Sequence, residues 1–323
     1  MCTAISFNGN NHYFGRNLDY EHDFGEKIVI TPRNFVLKFQ NGEVIKNHFA
    51  IIGMAVIADN YPLYFDGTNE AGLSMAGLNF PGNAHYCEPI NGKNNVASFE
   101  LIPFVLAKCK NVKQAIDLFK NINITNIAFS SLMTPSPLHW IISDKTQSIT
   151  VEQTQKGLNV FDNPVGVLTN NPTFDFHLTN LSNYLNVTAQ EPQNRFSEKI
   201  NLKPYSRGMG GIGIPGDLSS SSRFVRASFV KLNSPCPVTD TESVAMFFHI
   251  LYSVYQQKGC VKLGSDFEIT NYTSCCNTDK GIYYYTTYNN HSISAVDMHK
   301  ENLDECYLYE FEIKRKQKID FLN

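Results

Sequence analysis

The residue with the most chemical promise stands second in the chain. In Met1-Cys2-Thr3-Ala4, removal of Met1 gives Cys2 a free α-amine beside its thiol. A thiol of ordinary pKa about 8.5 next to an α-amine of about 7.7–8.0 puts a nucleophile and a proton acceptor in one residue. Acyl transfer needs that pairing together with donors for an oxyanion, and the amine can return its proton to the leaving group. A cysteine at position 2 usually has no special role, so its neighbours decide the matter. Phe14-Gly15-Arg16-Asn17-Leu18-Asp19 carries a cation and a carboxylate. If Cys2–Phe7 pairs antiparallel with 12–16, the return strand ends beside residue 2 and brings both charges within reach. Arg16 then favours the thiolate, and Asp19 accepts from the ammonium and orients it. Taken alone, Arg16 and Asp19 read equally well as an exposed ion pair of little worth.

The elements that must position these groups can be read from pattern. Asn8-Gly9-Asn10-Asn11 is a turn between two short strands, which makes the N-terminus a hairpin. Strands follow over 27–31, 36–39, 43–46, 50–57, 63–66 and 73–78. The nearly continuous apolar run Ala50–Ile57 suits a strand buried on both faces. The period then changes to that of amphipathic helices over 98–108 and 112–121, with Pro103 marking a kink in the first. Strands return over 138–143, 148–153 and 158–161. Helices are expected over 173–185, 223–232 and 241–255, and strands over 272–277, 281–287, 292–297 and 305–314. Alternating blocks of strand and helix indicate a layered α+β protein. Because both ends of the chain supply strands, residues 1–323 are expected to form one domain rather than two in tandem.

Composition narrows the function. The 323 residues are 42% hydrophobic and 18% charged, with a net charge of −3, which supports a large core and argues against a protein devoted to nucleic acid. No apolar run is long enough for a membrane span, and no secretory signal is visible at the N-terminus, so a cytoplasmic location is expected. The eight cysteines then read as reduced thiols. They form no CxxC pair and no zinc-spaced cluster, which disfavours a redox protein and a metal site. Gly208-Met209-Gly210-Gly211-Ile212-Gly213 matches the dinucleotide pattern in letters, but Pro204 precedes it and Pro215-Gly216 follows, so a flexible loop is expected and no cofactor. The sequons at Asn123, Asn180 and Asn186 are chance matches in an Asn-rich chain. Cys275-Cys276 reads as two buried, inert thiols.

Taken with Cys2, several segments resemble the choloylglycine hydrolase family of N-terminal-nucleophile hydrolases, which holds bile salt hydrolases and penicillin V acylases. They are Phe14–Tyr20, Ile30–Asn34, Ala76-Gly77-Leu78-Asn79-Phe80, Leu138-His139-Trp140, Val151-Glu152-Gln153, Leu168-Thr169-Asn170-Asn171-Pro172, Ser222-Arg223-Phe224 and Gly281–Tyr285. The resemblance runs from Met1 to about Lys314. It implies a four-layer αββα sandwich, a homo-oligomer (commonly a tetramer), and no metal or organic cofactor. It further implies that Cys2 is the nucleophile and its α-amine the base, with Arg16 by the thiolate and Asp19 holding the amine. The Asn79 N–H and the Asn170 side chain would form the oxyanion hole, with Asn171 competing for the latter role, and Arg223 would complete the polar site.

Asn79 also bears on the substrate. Bile salt hydrolases resemble this chain in carrying Asn there, whereas penicillin V acylases tend to carry Tyr. The resemblance therefore implies hydrolysis of conjugated bile salts at the amide joining a steroid acid to glycine or taurine, with penicillin V acylase activity as the alternative. By the same resemblance a steroid wall is expected from Leu18, Phe24, Ala58, Phe65, Phe129 and Met133, each of which could equally be plain core. Cleavage of acyl-homoserine lactones and non-catalytic steroid binding are weaker readings, and a binding protein has no need of an N-terminal thiol.

Overall fold

The turn at Asn8–Asn11 folds the chain back on itself, and strand β1 (Cys2–Asn8) pairs antiparallel with β2 (His12–Tyr20) from Asn8↔His12 to Cys2↔Leu18. In the computed structural model, which describes residues Met1–Asn323, this hairpin lies inside a seven-stranded sheet. Val167–Leu168 flanks β1, while Asp266–Asn277, Ile282–Thr287 and Asn290–Asp297 continue outward from β2, with Val261–Leu263 also on Asp266–Asn277. A second sheet of eight strands runs, in spatial order, Gly157–Asp162, Ser148–Thr154, Leu138–Ser143, Ser74–Asn79, Tyr61–Asn69, Ile51–Ala58, Lys27–Thr31 and Tyr309–Phe311.

Side-chain alternation explains the layering. In Lys27–Thr31, Ile28 and Ile30 enter the core between the sheets, where they join Ala4, Phe14, Met54, Leu78, Tyr272 and Tyr283. Val29 points the other way, toward α1 (Leu101–Lys108) and α2 (Val112–Phe119), and packs with Phe104, Val105, Ala115 and Trp140. Apolar residues on both faces are what a sheet covered on both sides requires. Three further helices, α3 (Phe174–Asn180), α4 (Ser220–Asn233) and α5 (Asp240–Tyr252), complete the helical part; Phe174, Phe224, Phe247 and Phe248 from these belong to the same core as β1 and β2. The result is the expected αββα order. No helix is long and apolar enough to cross a membrane.

Departures from expectation have local causes. Pro103 does not kink α1, because it lies in the first turn, where its missing N–H has no intrahelical partner to lose. The strand expected over 305–314 shrinks to Tyr309–Phe311. Asn94–Ala97 and Ile122–Thr125 form a parallel pair that four-residue, Asn-rich segments did not announce. Gly208–Gly213 sits in coil around a 3-10 turn, without the strand before it that a dinucleotide motif needs.

Candidate active site

Cross-strand neighbours share a face of a sheet, so the register of β1 with β2 sorts the candidate residues. Cys2, Ala4, Arg16 and Leu18 face the space between the sheets, whereas Thr3, Asn17 and Asp19 face α4 and α5. Arg16 and Asp19 therefore flank residue 2 from opposite sides rather than meeting each other. Both are fully buried.

On the inter-sheet side, Arg16 Nη1 donates to Phe65 O at 3.1 Å and to Gly77 O, and Nε reaches Asn17 O at 3.4 Å. The Phe65 carbonyl is available because the pairing of Ile51–Ala58 with Tyr61–Asn69 jumps from Met54↔Asp66 to Ala55↔Tyr64, leaving Phe65 as the extra residue of a bulge. Arg16 Nη2 has no partner in the chain. Burial weakens the guanidinium's hold on its proton, but the fields of Cys2, Tyr272, Asp66 and Asp19 outweigh it and its pKa is raised.

On the helical side, Asp19 accepts from Thr270 Oγ1 at 2.6 Å and from Gln256 Nε2 at 3.3 Å, and lies 4.0 Å from Arg223 Nη1. A second bulge makes this possible. Strand Asp266–Asn277 passes from Thr270↔Asp19 to Tyr272↔Leu18, so Thr270 and Tyr272 point to opposite faces although two residues apart. Burial raises the Asp19 pKa, against the pull of Arg223, the N-terminal ammonium, Thr270 and Arg16.

Arg223, on the first turn of α4, ties the groups together. It donates to Cys2 O, to Thr3 Oγ1 at 2.7 Å, to Asn170 Oδ1 at 2.7 Å and to Leu218 O at 2.9 Å. Asn170 Oδ1 also accepts from Cys2 N at 2.8 Å, and its Nδ2 donates to Asn79 O at 2.6 Å. The neighbouring Asn171 instead donates to Pro81 O at 2.6 Å, away from Cys2. Of the two asparagines, geometry brings only Asn170 to the nucleophile candidate. Phe80 N–H bonds Pro137 O at 2.7 Å, so Asn79, one residue earlier, turns its own N–H and C=O away from strand Leu138–Ser143. The ladder on its other side ends at Asp66↔Ala76, which leaves the Asn79 N–H outside both pairings.

Met1 is present, so the Cys2 nitrogen is an amide here. The Met1 ammonium lies 2.7 Å from Asp19 O and 2.6 Å from Glu268 Oε1.

An apolar cavity of about 410 Å³ opens beside this cluster, and Gly77, whose carbonyl holds Arg16, is part of its wall. Four of the expected steroid contacts line it: Phe24, Phe65, Phe129 and Met133. Leu18 is instead buried in the inter-sheet core opposite Cys2, and Ala58 ends its strand outside the cavity wall. Val56, Leu63, Tyr64, Phe99, Leu132 and Leu138 complete the apolar lining and were not anticipated.

Several supporting residues were also missed. The Asn170 backbone is clamped by Ser220 Oγ on its N–H at 2.8 Å and by His177 Nε2 on its carbonyl at 2.8 Å. Burial lowers the His177 pKa to about 4, which keeps the ring neutral, and it stacks on Phe224 with centroids 4.8 Å apart. His139 bridges Glu152 Oε1 at 3.0 Å and Thr169 O at 2.9 Å, stacked on Phe80 at 4.1 Å. His139 beside Trp140 and Glu152 beside Val151, each in a buried strand, were the available signal. No cluster of three or more His, Cys, Asp or Glu residues is placed to hold a metal ion.

Comparison with known proteins identifies the family. Residues 2–310 match the family described as linear amide C-N hydrolases, choloylglycine hydrolase family. The chain is 49% identical, over the full length of both, to a bile salt hydrolase/transferase of Lactiplantibacillus plantarum. It superposes with a TM-score of 0.93 on the C2A mutant of the conjugated bile acid hydrolase of Clostridium perfringens, 38% identical with both chains fully covered. A penicillin V acylase of Agrobacterium tumefaciens shares the fold, with a TM-score of 0.78 at 19% identity over 96% of this chain and 91% of that one. The chain belongs to the choloylglycine hydrolase family of linear amide C–N hydrolases.

Proposed function

We propose that this enzyme hydrolyses bile acids conjugated through an amide to glycine or taurine, with Cys2 as nucleophile after loss of Met1. The observation that carries the reading is the double environment of residue 2: its side chain shares the inter-sheet face with Arg16, and its nitrogen is hydrogen-bonded to Asn170 Oδ1. The apolar cavity beside Arg16 offers surface for a steroid acyl group, and the relatives at 38–49% identity named above are a bile salt hydrolase/transferase and a conjugated bile acid hydrolase.

In this mechanism the α-amine takes the thiol proton and the thiolate attacks the amide carbonyl. The tetrahedral oxyanion is held by the Asn170 Nδ2 and the Asn79 N–H. One preorganised donor of this kind contributes about 2.7–4 kcal/mol. Collapse passes the proton from the ammonium to the leaving amine, so glycine or taurine departs and a thioester remains. Water, deprotonated by the same amine, then releases the bile acid. Asp19, held by Thr270 and Gln256, keeps the amine oriented, and Arg223 fixes the Cys2 carbonyl and Asn170 in one hydrogen-bonded unit.

The proposal includes a homo-oligomer, whose mass sedimentation equilibrium would give. Exposed Leu185, Phe196 and Tyr205 on the long coil before α4 offer apolar surface for self-association. The central test is amine release from glycocholate, taurocholate and penicillin V by wild type and Cys2→Ser. Turnover of the bile salts that is lost in the variant is expected. Near-normal turnover by Cys2→Ser removes the mechanism, and a wild type that prefers penicillin V removes the substrate assignment. Intact-mass analysis of the active protein is expected to show a chain starting at Cys2.

A further inference from the structure

Arg16 Nη1 donates to the Phe65 carbonyl at 3.1 Å, and the next residue, Asp66, is a buried carboxylate that takes no part in the mechanism above. Asp66 sits in strand Tyr61–Asn69, paired with Met54 on one side and Ala76 on the other, and is 1% exposed. Its side chain reaches the opposite sheet. Tyr283 O–H donates to Oδ1 at 2.6 Å and Tyr272 O–H donates to Oδ2 at 2.8 Å. Both tyrosines are themselves fully buried. A carboxylate in such a place is costly unless it is both hydrogen-bonded and opposed by a positive charge.

The positive charge is Arg16. No carboxylate lies within ion-pair distance of its guanidinium, whose bonds to protein go to backbone carbonyls alone. Burial pushes the Asp66 carboxyl up, and Arg16, Tyr283, Tyr272 and Ser274 pull it back down. Around Asp66 the titratable groups are Arg16 on β2, Tyr272 and Cys276 on Asp266–Asn277, and Tyr283 on Ile282–Thr287; its partners Met54 and Ala76 are apolar. Asp19 is on the far face of β2. The field of Arg16 acts on both Asp66 and Cys2, and at residue 2 the charge of the Asp66 carboxylate opposes that of the guanidinium.

We infer that Asp66, held by Tyr272 and Tyr283, is a positioning residue that balances the Arg16 charge and so sets how strongly the guanidinium favours the Cys2 thiolate. The inference rests on the reading of Cys2 as nucleophile. A thiolate stabilised too strongly is a weaker nucleophile, because nucleophilicity falls with thiol pKa. Asp66 restrains that stabilisation.

The test is the pH dependence of Cys2 alkylation by iodoacetamide, followed by mass spectrometry on the N-terminal peptide, in wild type and Asp66→Asn. The amide is isosteric, removes the charge and turns one of the two acceptor oxygens that face the tyrosines into a donor. The alkylation midpoint is expected to fall by about half a pH unit or more, roughly a threefold change in the thiolate-to-thiol ratio, with the acid limb of kcat/KM moving the same way. Tyr272→Phe and Tyr283→Phe each remove one hydrogen bond to the carboxylate and should give smaller shifts in the same direction. They carry the test if Asp66→Asn does not fold. Unchanged midpoints in folded variants overturn the inference. If wild-type activity survives complete alkylation of Cys2, the nucleophile assignment falls instead, so the two failures are distinguishable.

Discussion

Replacing Asn170 by aspartate separates two jobs that the asparagine performs at once. Its Oδ1 accepts from Cys2 N and Arg223 Nη2, at 2.8 and 2.7 Å, and an aspartate oxygen can do the same. Its Nδ2, which donates to Asn79 O at 2.6 Å, becomes an acceptor, so the proposed oxyanion hole loses a donor and the tie to Asn79 O is broken, while the two bonds at Oδ1 remain. Loss of one such donor costs about 2.7–4 kcal/mol of transition-state stabilisation, or roughly 10²–10³ in kcat. The added charge next to a developing oxyanion places the expected effect at the upper end of that range. KM should change little, because the apolar cavity that would hold the acyl group is untouched. Asn170→Ala should lose comparable activity and also stability, since truncation leaves the buried Arg223 donor without its acceptor at a cost of about 1–3 kcal/mol. The assay is steady-state amine release from glycocholate, with urea unfolding to check the fold. An Asn170→Asp enzyme folded like wild type, with kcat within about threefold of it, would refute the assignment of Nδ2 as an oxyanion donor.

Three further outcomes follow from the structure. Gly15→Ala should prevent stable folding, because a Cβ there would sit 2.1 Å from Ser274 O and 2.6 Å from Ser274 C, both backbone atoms of the adjoining strand; a soluble variant melting within a few degrees of wild type contradicts this. Phe129→Ala removes an aromatic wall of the cavity and should raise KM for glycocholate about tenfold with kcat nearly unchanged, the pattern of lost uniform binding. Glu100 is buried, and burial raises its pKa from the ordinary 4.5 to about 7 despite hydrogen bonds from Gln40 and Ala97 N–H. Between those pH values the folded chain binds the extra proton, so Glu100 makes stability fall as pH rises, by up to about 3 kcal/mol at roughly 1.4 kcal/mol per pH unit. Glu100→Gln should flatten that part of the urea-stability profile, and an unchanged profile contradicts the assignment.

Much of this arrangement is legible in the amino-acid sequence. The Asn8–Asn11 turn, period-two strands and the two-sided apolar run at Ala50–Ile57 announce a hairpin feeding a covered sheet, while the register from Asn8↔His12 to Cys2↔Leu18 is set by the structure. What pattern could not show is parity. Arg16 and Asp19, three residues apart in one strand, necessarily face opposite ways, and that becomes informative only once Cys2↔Leu18 is known. The bulges at Phe65 and Asn271 are invisible in sequence because each is a single unpaired residue of ordinary type. They free a carbonyl for Arg16 and turn Thr270 toward Asp19. Gln256, His177 and Ser220 act through contacts 7 to 237 residues away, which no local pattern encodes. Leu18 and Ala58 were expected at the steroid wall by resemblance; Leu18, whose apolar type suits the core equally well, is buried there, and Ala58 is half-buried at the end of its strand.

The two-faced hairpin bears on how such an enzyme can change. The side chains that would touch the acyl group come from the ends of strands Ile51–Ala58, Tyr61–Asn69 and Leu138–Ser143 and from the segments around Phe99 and Leu132, whereas Asp19, Thr270 and Gln256 lie behind the sheet. A mutation at Leu63, Phe99 or Leu132 therefore alters the shape offered to the proposed substrate with no demand on the groups proposed to manage protons. Selection for a new acyl donor can search one surface while the other stays constant, and a combinatorial library restricted to those cavity positions would sample specificity with the catalytic cost held nearly fixed.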